Sequence, residues 1–271
     1  FNAPFENMLF PVKRLPWPAT WWEDQEVNKK EKAVLSALEQ SLETPTAAVI
    51  LEPLVQGAGG MAMVRPEFIH NVAQRVQEAG ALLIADEVLT GFGRCGSLFA
   101  FQKANVQPDL IALSKGLTGG FLPMGVTMAS EKIFTEFIGE DPKLTLWHGH
   151  SFTGNPLGCA AANASLDLLE RNPEKYENFE MRHLSHLTTL TKHPRVQKIR
   201  LAGTIAAFSL KVDGPSGYLN NAGKAIKAKA MENNVFLRPL GDVIYLLPPL
   251  CISDSQLEHC YLAIKKGLDI L

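Results

Sequence analysis

The stretch ALLIADEVLTGFGRCG, residues 81–96, decides the fold. Its first five residues, Ala81 to Ala85, are apolar without alternation, and they end abruptly in Asp86 and Glu87. A run that short and that uniformly apolar predicts a strand buried on both faces. Upstream, Pro66 sits where a helix opens, and Phe68, Ile69, Val72 and Val76 recur at helical spacing before Gly80 closes the segment. Before that helix lies a second apolar run, TAAVILEPL (46–54), ended by Glu52 and Pro53. Strand, helix, strand in that order predicts a parallel sheet covered by helices, an α/β architecture.

Further out, Glu26 to Leu42 predicts a helix, and the Pro-rich PVKRLPWPATWW (11–22) predicts a surface crossing. DLIALSK (109–115) and MGVTMAS (124–130) extend the same sheet. Helices are expected over 155–171 and 174–192. After about residue 193 the texture changes. VQKIRLAGTIAAFSLKV predicts strand, turn and strand, followed by a helix over 219–233, the stretch VFLRPLGDVIYLLPP, and a terminal helix. Ser253 and Gln256 have capping-box spacing for that last helix, and Leu257, Tyr261, Ile264 and Leu268 line its apolar face. The expected division is a large domain over 1–168 and a smaller C-terminal α+β domain over 169–271.

The chain has 271 residues, 46% hydrophobic and 20% charged, with a net charge of −2. No basic excess or long run of one sign points to nucleic acid. No stretch reaches the ~18 apolar residues that cross a bilayer, so no membrane partner is expected. The four cysteines form no CxxC pair, which argues against a disulfide framework or zinc site and fits reduced thiols in the cytoplasm. His148 and His150 have no nearby third ligand in the sequence, so no metal is expected. The opening at Phe1 reads like the middle of a longer polypeptide.

Ligands of parallel α/β sheets gather beyond the carboxyl ends of the strands. Three expected strands end in chemically loaded residues: Glu52, Asp86 and Lys115. Neighbouring strands lie ~5 Å apart, so an acid and an amine at adjacent tips can face one ligand. Each residue alone also fits an ordinary turn former or a solvated lysine. Together, with the glycine-rich TGFGRCG after Asp86 and KGLTGG after Lys115, they point to a ligand that approaches the backbone closely. Neither loop has dinucleotide or Walker spacing.

LLIADEVLTGFGRCGSLFA, PDLIALSKGLTGG and HGHSFTGNPLGCAAANASLDLLE together resemble the class III aminotransferases, which are pyridoxal phosphate enzymes of fold type I. The separation of 29 positions between Asp86 and Lys115 matches as well. The resemblance implies pyridoxal 5'-phosphate as cofactor. Lys115 would take up its aldehyde and later carry a proton, and Asp86 would hold its ring nitrogen protonated. If the strand continues, Val88 points to the same side as Asp86 and packs on the ring. Ser151 stands where relatives usually have Thr and would bind the cofactor phosphate across a homodimer interface. Glu52 and Gln56 match polar positions near the cofactor.

EPLVQGAGGM, GNPLGCAAANASL and LRPLGDVIYLLPP further resemble the subgroup that moves an amino group from S-adenosylmethionine to 8-amino-7-oxononanoate in biotin synthesis. There Arg238 matches the arginine that grips the substrate carboxylate, a contact that suits a planar guanidinium. The alternatives are an ornithine, acetylornithine or ω-amino acid aminotransferase, or a truncated remnant without catalysis. Relatives begin well upstream of Phe1, so the N-terminal part of the family fold is expected to be missing from this sequence. That part carries a phosphate-binding turn, a ring-stacking aromatic and donor-recognising residues.

Overall fold

In the computed structural model, which describes residues 3–9 and 11–271, the stretch around Asp86 forms the middle of an α/β layer. The elements in chain order are α1 (Val27–Leu42), β1 (Ala48–Leu51), β2 (Val55–Gln56), β3 (Ala62–Met63), α2 (Pro66–Glu78), β4 (Leu82–Asp86), α3 (Ala100–Lys103), β5 (Leu110–Leu113) and β6 (Val126–Ala129). They continue with α4 (Glu131–Thr135), α5 (Pro156–Arg171), α6 (Glu174–Glu177), α7 (Phe179–Leu190), β7 (Val196–Ala202), β8 (Ile205–Leu210), α8 (Gly223–Glu232), β9 (Val243–Leu246) and α9 (Asp254–Leu268).

The first sheet has the order β1-β4-β5-β6. β1, β4 and β5 run parallel, and β6 returns antiparallel to β5, so the sheet is mixed at one edge. The turns after β5 bring the chain straight back, leaving no crossover that would make β6 parallel. α2 forms as its pattern predicts. Pro66 occupies the first turn, Gly80 takes φ +72 after the last one, and Phe68, Ile69, Val72 and Val76 are buried. Each such side chain contributes about 1.5–3 kcal/mol on burial.

The Pro-rich segment is more than a surface crossing. The Trp17 indole donates to the Ala62 carbonyl and packs edge-on against Phe68, and Thr20 bridges to Met63. Residue 10, just before it, and residues 1 and 2 lie outside the described residues.

β2 and β3 pair in a small antiparallel sheet, and a third sheet, antiparallel β7-β8-β9, carries the C-terminal half, with α7, α8 and α9 packed on it. The capping box at Ser253 and Gln256 forms, and Leu257, Tyr261, Ile264 and Leu268 are buried. Two expected helices differ. The segment 174–192 breaks at Asn178, whose ψ of 9° leaves the helical range, giving α6 and α7. The helix expected from 219 begins at Gly223 instead, because the Asn220 side chain accepts the Ala222 N–H in a turn that competes with helix.

The halves share a core. Met61, Met63, Phe68 and Val72 cluster with Ile205, Ala207, Leu240 and Val243. The β7–β8 turn locks them together at Gly203, whose φ is +57 and whose added Cβ would lie 2.3 Å from the Cys95 carbonyl carbon. All four cysteines are free thiols. Among the described residues no helix is long and apolar enough to cross a membrane.

Candidate active site

The register of the first sheet brings three side chains to one edge. Leu51 pairs with Ala85, so the next residues, Glu52 and Asp86, leave their strands side by side. Asp86 pairs with Ala112, and Lys115 follows three residues later. The Glu52 carboxylate accepts the Gly57 N–H at 2.9 Å. Burial pushes the Glu52 carboxyl above its ordinary range. The Gly57 amide works against that shift, the nearby Asp86 charge adds to it, and Lys115 opposes it.

Asp86 is half-buried and accepts the Val88 N–H at 3.1 Å. This bond turns the chain, and β4 ends at Asp86. The alternation that would have put Val88 on the Asp86 side therefore stops, because the period-two rule needs a continuing strand. Val88 instead forms part of the wall of a cleft of about 980 Å³, whose lining does not include Glu52, Asp86 or Lys115. Ala112, Ser114, Met124, His148, His150 and Phe152 also line that cleft.

Lys115 is exposed and begins a single 3-10 turn. Its φ of +48 is uncommon for a side-chain-bearing residue, and such outliers gather at functional positions. The surroundings enforce it. Ser114 Oγ donates to the Met124 carbonyl, and a Cβ on Gly116 would lie 2.9 Å from the Phe92 Cβ. Among the described residues, no hydrogen bond or ion pair holds the Lys115 amine. A carboxylate and an amine at adjacent strand tips match the two ends of a pyridoxal ring: a ring nitrogen that takes a proton and an aldehyde that takes an amine. The donor set fits that cofactor.

Gln56 lies on β2, next to Gly57. Ser151 lies on an exposed turn between His150 and Phe152, which line the cleft while Ser151 does not. Arg238 is exposed in the C-terminal half, on a groove of about 700 Å³ shared with Tyr245, Leu247 and Pro248. No hydrogen bond or ion pair joins it to Asp86 or Lys115. Among the described residues no cluster of His, Cys, Asp or Glu could hold a metal.

Two residues escaped the sequence reading. Glu87 is fully buried and accepts the Thr90 hydroxyl and the Phe101 N–H, which anchors the glycine-rich 88–101 loop. Its signal was the second acid at the strand end. A Cβ on Gly57 would come within 2.2 Å of a Leu89 methyl, so any side chain there would displace Leu89. No local pattern marks that contact, which joins two loops distant in sequence.

Comparison with known proteins gives a consistent neighbourhood. The aminotransferase class-III family model matches residues 1–268. The adenosylmethionine-8-amino-7-oxononanoate aminotransferase of Synechococcus elongatus is 54% identical over 99% of this chain. Its counterpart in Geobacter sulfurreducens is 36% identical over the same share. The chain spans 63% and 62% of the lengths of these two relatives. Among solved structures, the enzyme of that name from Methanocaldococcus jannaschii matches with a TM-score of 0.82 at 31% identity, over 98% of this chain and 62% of the other.

Proposed function

The chain belongs to the class III aminotransferases, and from that premise we propose that it serves the pyridoxal phosphate-dependent transfer of an amino group from S-adenosylmethionine to 8-amino-7-oxononanoate. The product is 7,8-diaminononanoate, an intermediate of biotin synthesis. The observation that carries this reading is the identity of 54% to a relative bearing that enzyme's name, extending over 99% of the chain. The convergence of Asp86, Glu52 and Lys115 at one sheet edge supports it.

When bound, pyridoxal phosphate supplies an electron sink for charge developing on the substrate carbon. Asp86 holds the ring nitrogen protonated by ion pairing. Its position at a half-buried strand tip strengthens that pairing relative to water. Lys115 holds the aldehyde end, and its amine then moves a proton at the substrate carbon. Val88 packs on one ring face. Glu52 and Gln56 line the edge beside Asp86. Ser151 contributes a hydroxyl to the cofactor phosphate of a second subunit, in a homodimer whose interface includes the site. Arg238 binds the carboxylate of the amino acceptor with its planar fork. The same reading divides the chain into a cofactor domain over 1–168 and a smaller domain over 169–271, working in the cytoplasm.

The test is a coupled assay on the intact protein loaded with pyridoxal phosphate. The two substrates are expected to give the diamine, and Lys115→Ala to lower turnover by roughly a thousandfold and remove the visible cofactor band. Turnover of ornithine, acetylornithine or an ω-amino acid without diamine formation would reassign the substrate. A protein that stays colourless with added cofactor would overturn the enzymatic reading.

A further inference from the structure

We propose that Arg200 is a positioning residue for the cofactor site: from the C-terminal sheet it holds the 57–61 turn, and through that turn the Glu52 carboxylate, beside Asp86 and Lys115. The inference rests on the reading that these three side chains hold the cofactor.

Arg200 is buried in β7. Its Nε donates to the Met61 carbonyl and its Nη2 to the Gly60 carbonyl, both at 2.7 Å. Nη1 donates to the Lys198 carbonyl and the Ser209 hydroxyl. Two forked donors thus grip consecutive carbonyls of a turn that lies some 140 residues away in sequence. The turn needs holding. Gly60 and Met61 both have positive φ, +92 and +52, and a side-chain-bearing residue in that region is strained. Within it, the Gly60 and Met61 amides donate to the Gly57 carbonyl. The amide of Gly57 in turn donates to Glu52. Each link is a direct hydrogen bond.

The sheet irregularity explains how Arg200 is aimed. The β7–β8 register shifts between Gln197 and Arg200, and Lys198 takes φ +51. Such a bulge breaks the alternation of faces. Ile199 and Arg200 are accordingly both buried, and Arg200 reaches the Gly60–Met61 turn that leads into β3. A guanidinium is needed there, since a lysine ammonium has no planar fork for two carbonyls. Burial pulls Arg200 down to about 10, with the buried Asp242 opposing, so the group stays charged at neutral pH.

The charged groups around Glu52 are Asp86 and Lys115, with Glu87 beside Asp86 and Asp242 beside Arg200. A fixed negative charge at Glu52 favours the protonated form of the lysine-bound cofactor. Letting that carboxylate drift lowers the pH midpoint of the cofactor's visible absorbance.

The experiment measures that midpoint in the intact, cofactor-loaded protein. Glu52→Gln and Arg200→Met are each expected to lower it by about half a pH unit. In the double variant Arg200→Met is expected to add nothing, because its effect passes through Glu52. Arg200→Lys is expected to recover part of the shift, and it carries the test if the Met variant fails to fold. Equal shifts from Arg200→Met with and without Glu52 would overturn the proposal, as would an unmoved midpoint in Arg200→Lys and Arg200→Met when Glu52→Gln moves it. An unmoved midpoint in Glu52→Gln, or a visible band that survives Lys115→Ala, would instead overturn the reading of the site on which the proposal rests.

Discussion

Asp86 and Glu87 are neighbours in sequence with different roles. The chain turns at the end of β4, just between them, and their side chains part there. Asp86 turns to the edge that Glu52 and Lys115 share, while Glu87 turns inward and is fully buried. Desolvation pushes the Glu87 carboxyl upward, and hydrogen bonds from Thr90, Phe101 and Ala100 work against that shift. Removing the carboxyl leaves buried donors without an acceptor and opens a void. Glu87→Ala is expected to lower unfolding stability by about 2–4 kcal/mol, and Glu87→Gln, which keeps one acceptor, by less than half of that. Urea unfolding followed by circular dichroism measures both, and a wild-type midpoint in the Ala variant would show that Glu87 does not anchor the loop.

Among elements, α7 carries the clearest pH response. His183 is buried, its Nδ1 lies 2.7 Å from the Tyr261 hydroxyl of α9, and its Nε2 lies 3.2 Å from the Thr204 carbonyl. A carbonyl only accepts, so Nε2 carries the proton and Nδ1 accepts from the tyrosine. Burial pulls the imidazole from 6.5 down to about 4, with the Thr204 bond opposing. The folded state therefore binds fewer protons than the unfolded chain between those values. Stability is then full above pH 6.5 and falls as the pH drops toward 4, by roughly 3 kcal/mol through this residue. His183→Gln is expected to be less stable at pH 7 and to show a shallower fall between pH 6.5 and 4. Chemical denaturation at a series of pH values checks the slope, and a variant slope equal to wild type would mean other groups govern it.

Across the whole molecule, the apolar surface is unevenly spread. Phe121, Leu146, Trp147, Phe152 and Leu157 are exposed along one part of the chain, Trp147 at 83%. Apolar patches of that kind mark interaction surfaces, and this one adjoins the cleft that Phe152 and Leu157 help to line. In the proposed homodimer it would form part of the interface. Trp147→Asp is expected to weaken dimerisation by about a hundredfold, since a buried aromatic anchor contributes about 2 kcal/mol or more and a charge adds desolvation cost. Sedimentation velocity across a concentration series reads the effect. An unchanged dimer would place the interface elsewhere, and a monomeric parent protein would remove the dimer from the proposal.

The sequence by itself determined the local structure and the chemistry on offer. The uninterrupted apolar runs at 48–51 and 81–85, the Pro66 and Gly80 boundaries, and the box at Ser253 are each written within a few residues, so period and capping suffice to read them. The acid and the amine at strand ends were legible for the same reason. Tertiary structure alone decided the reversal of β6, the break at Asn178, the end of β4 that redirected Val88, and the inward turn of Glu87. It alone brought Arg200 to the Gly60 and Met61 carbonyls and Leu89 onto Gly57. Those contacts join residues far apart in the chain. Their energy comes from desolvation and close packing between layers, which no short window of sequence encodes.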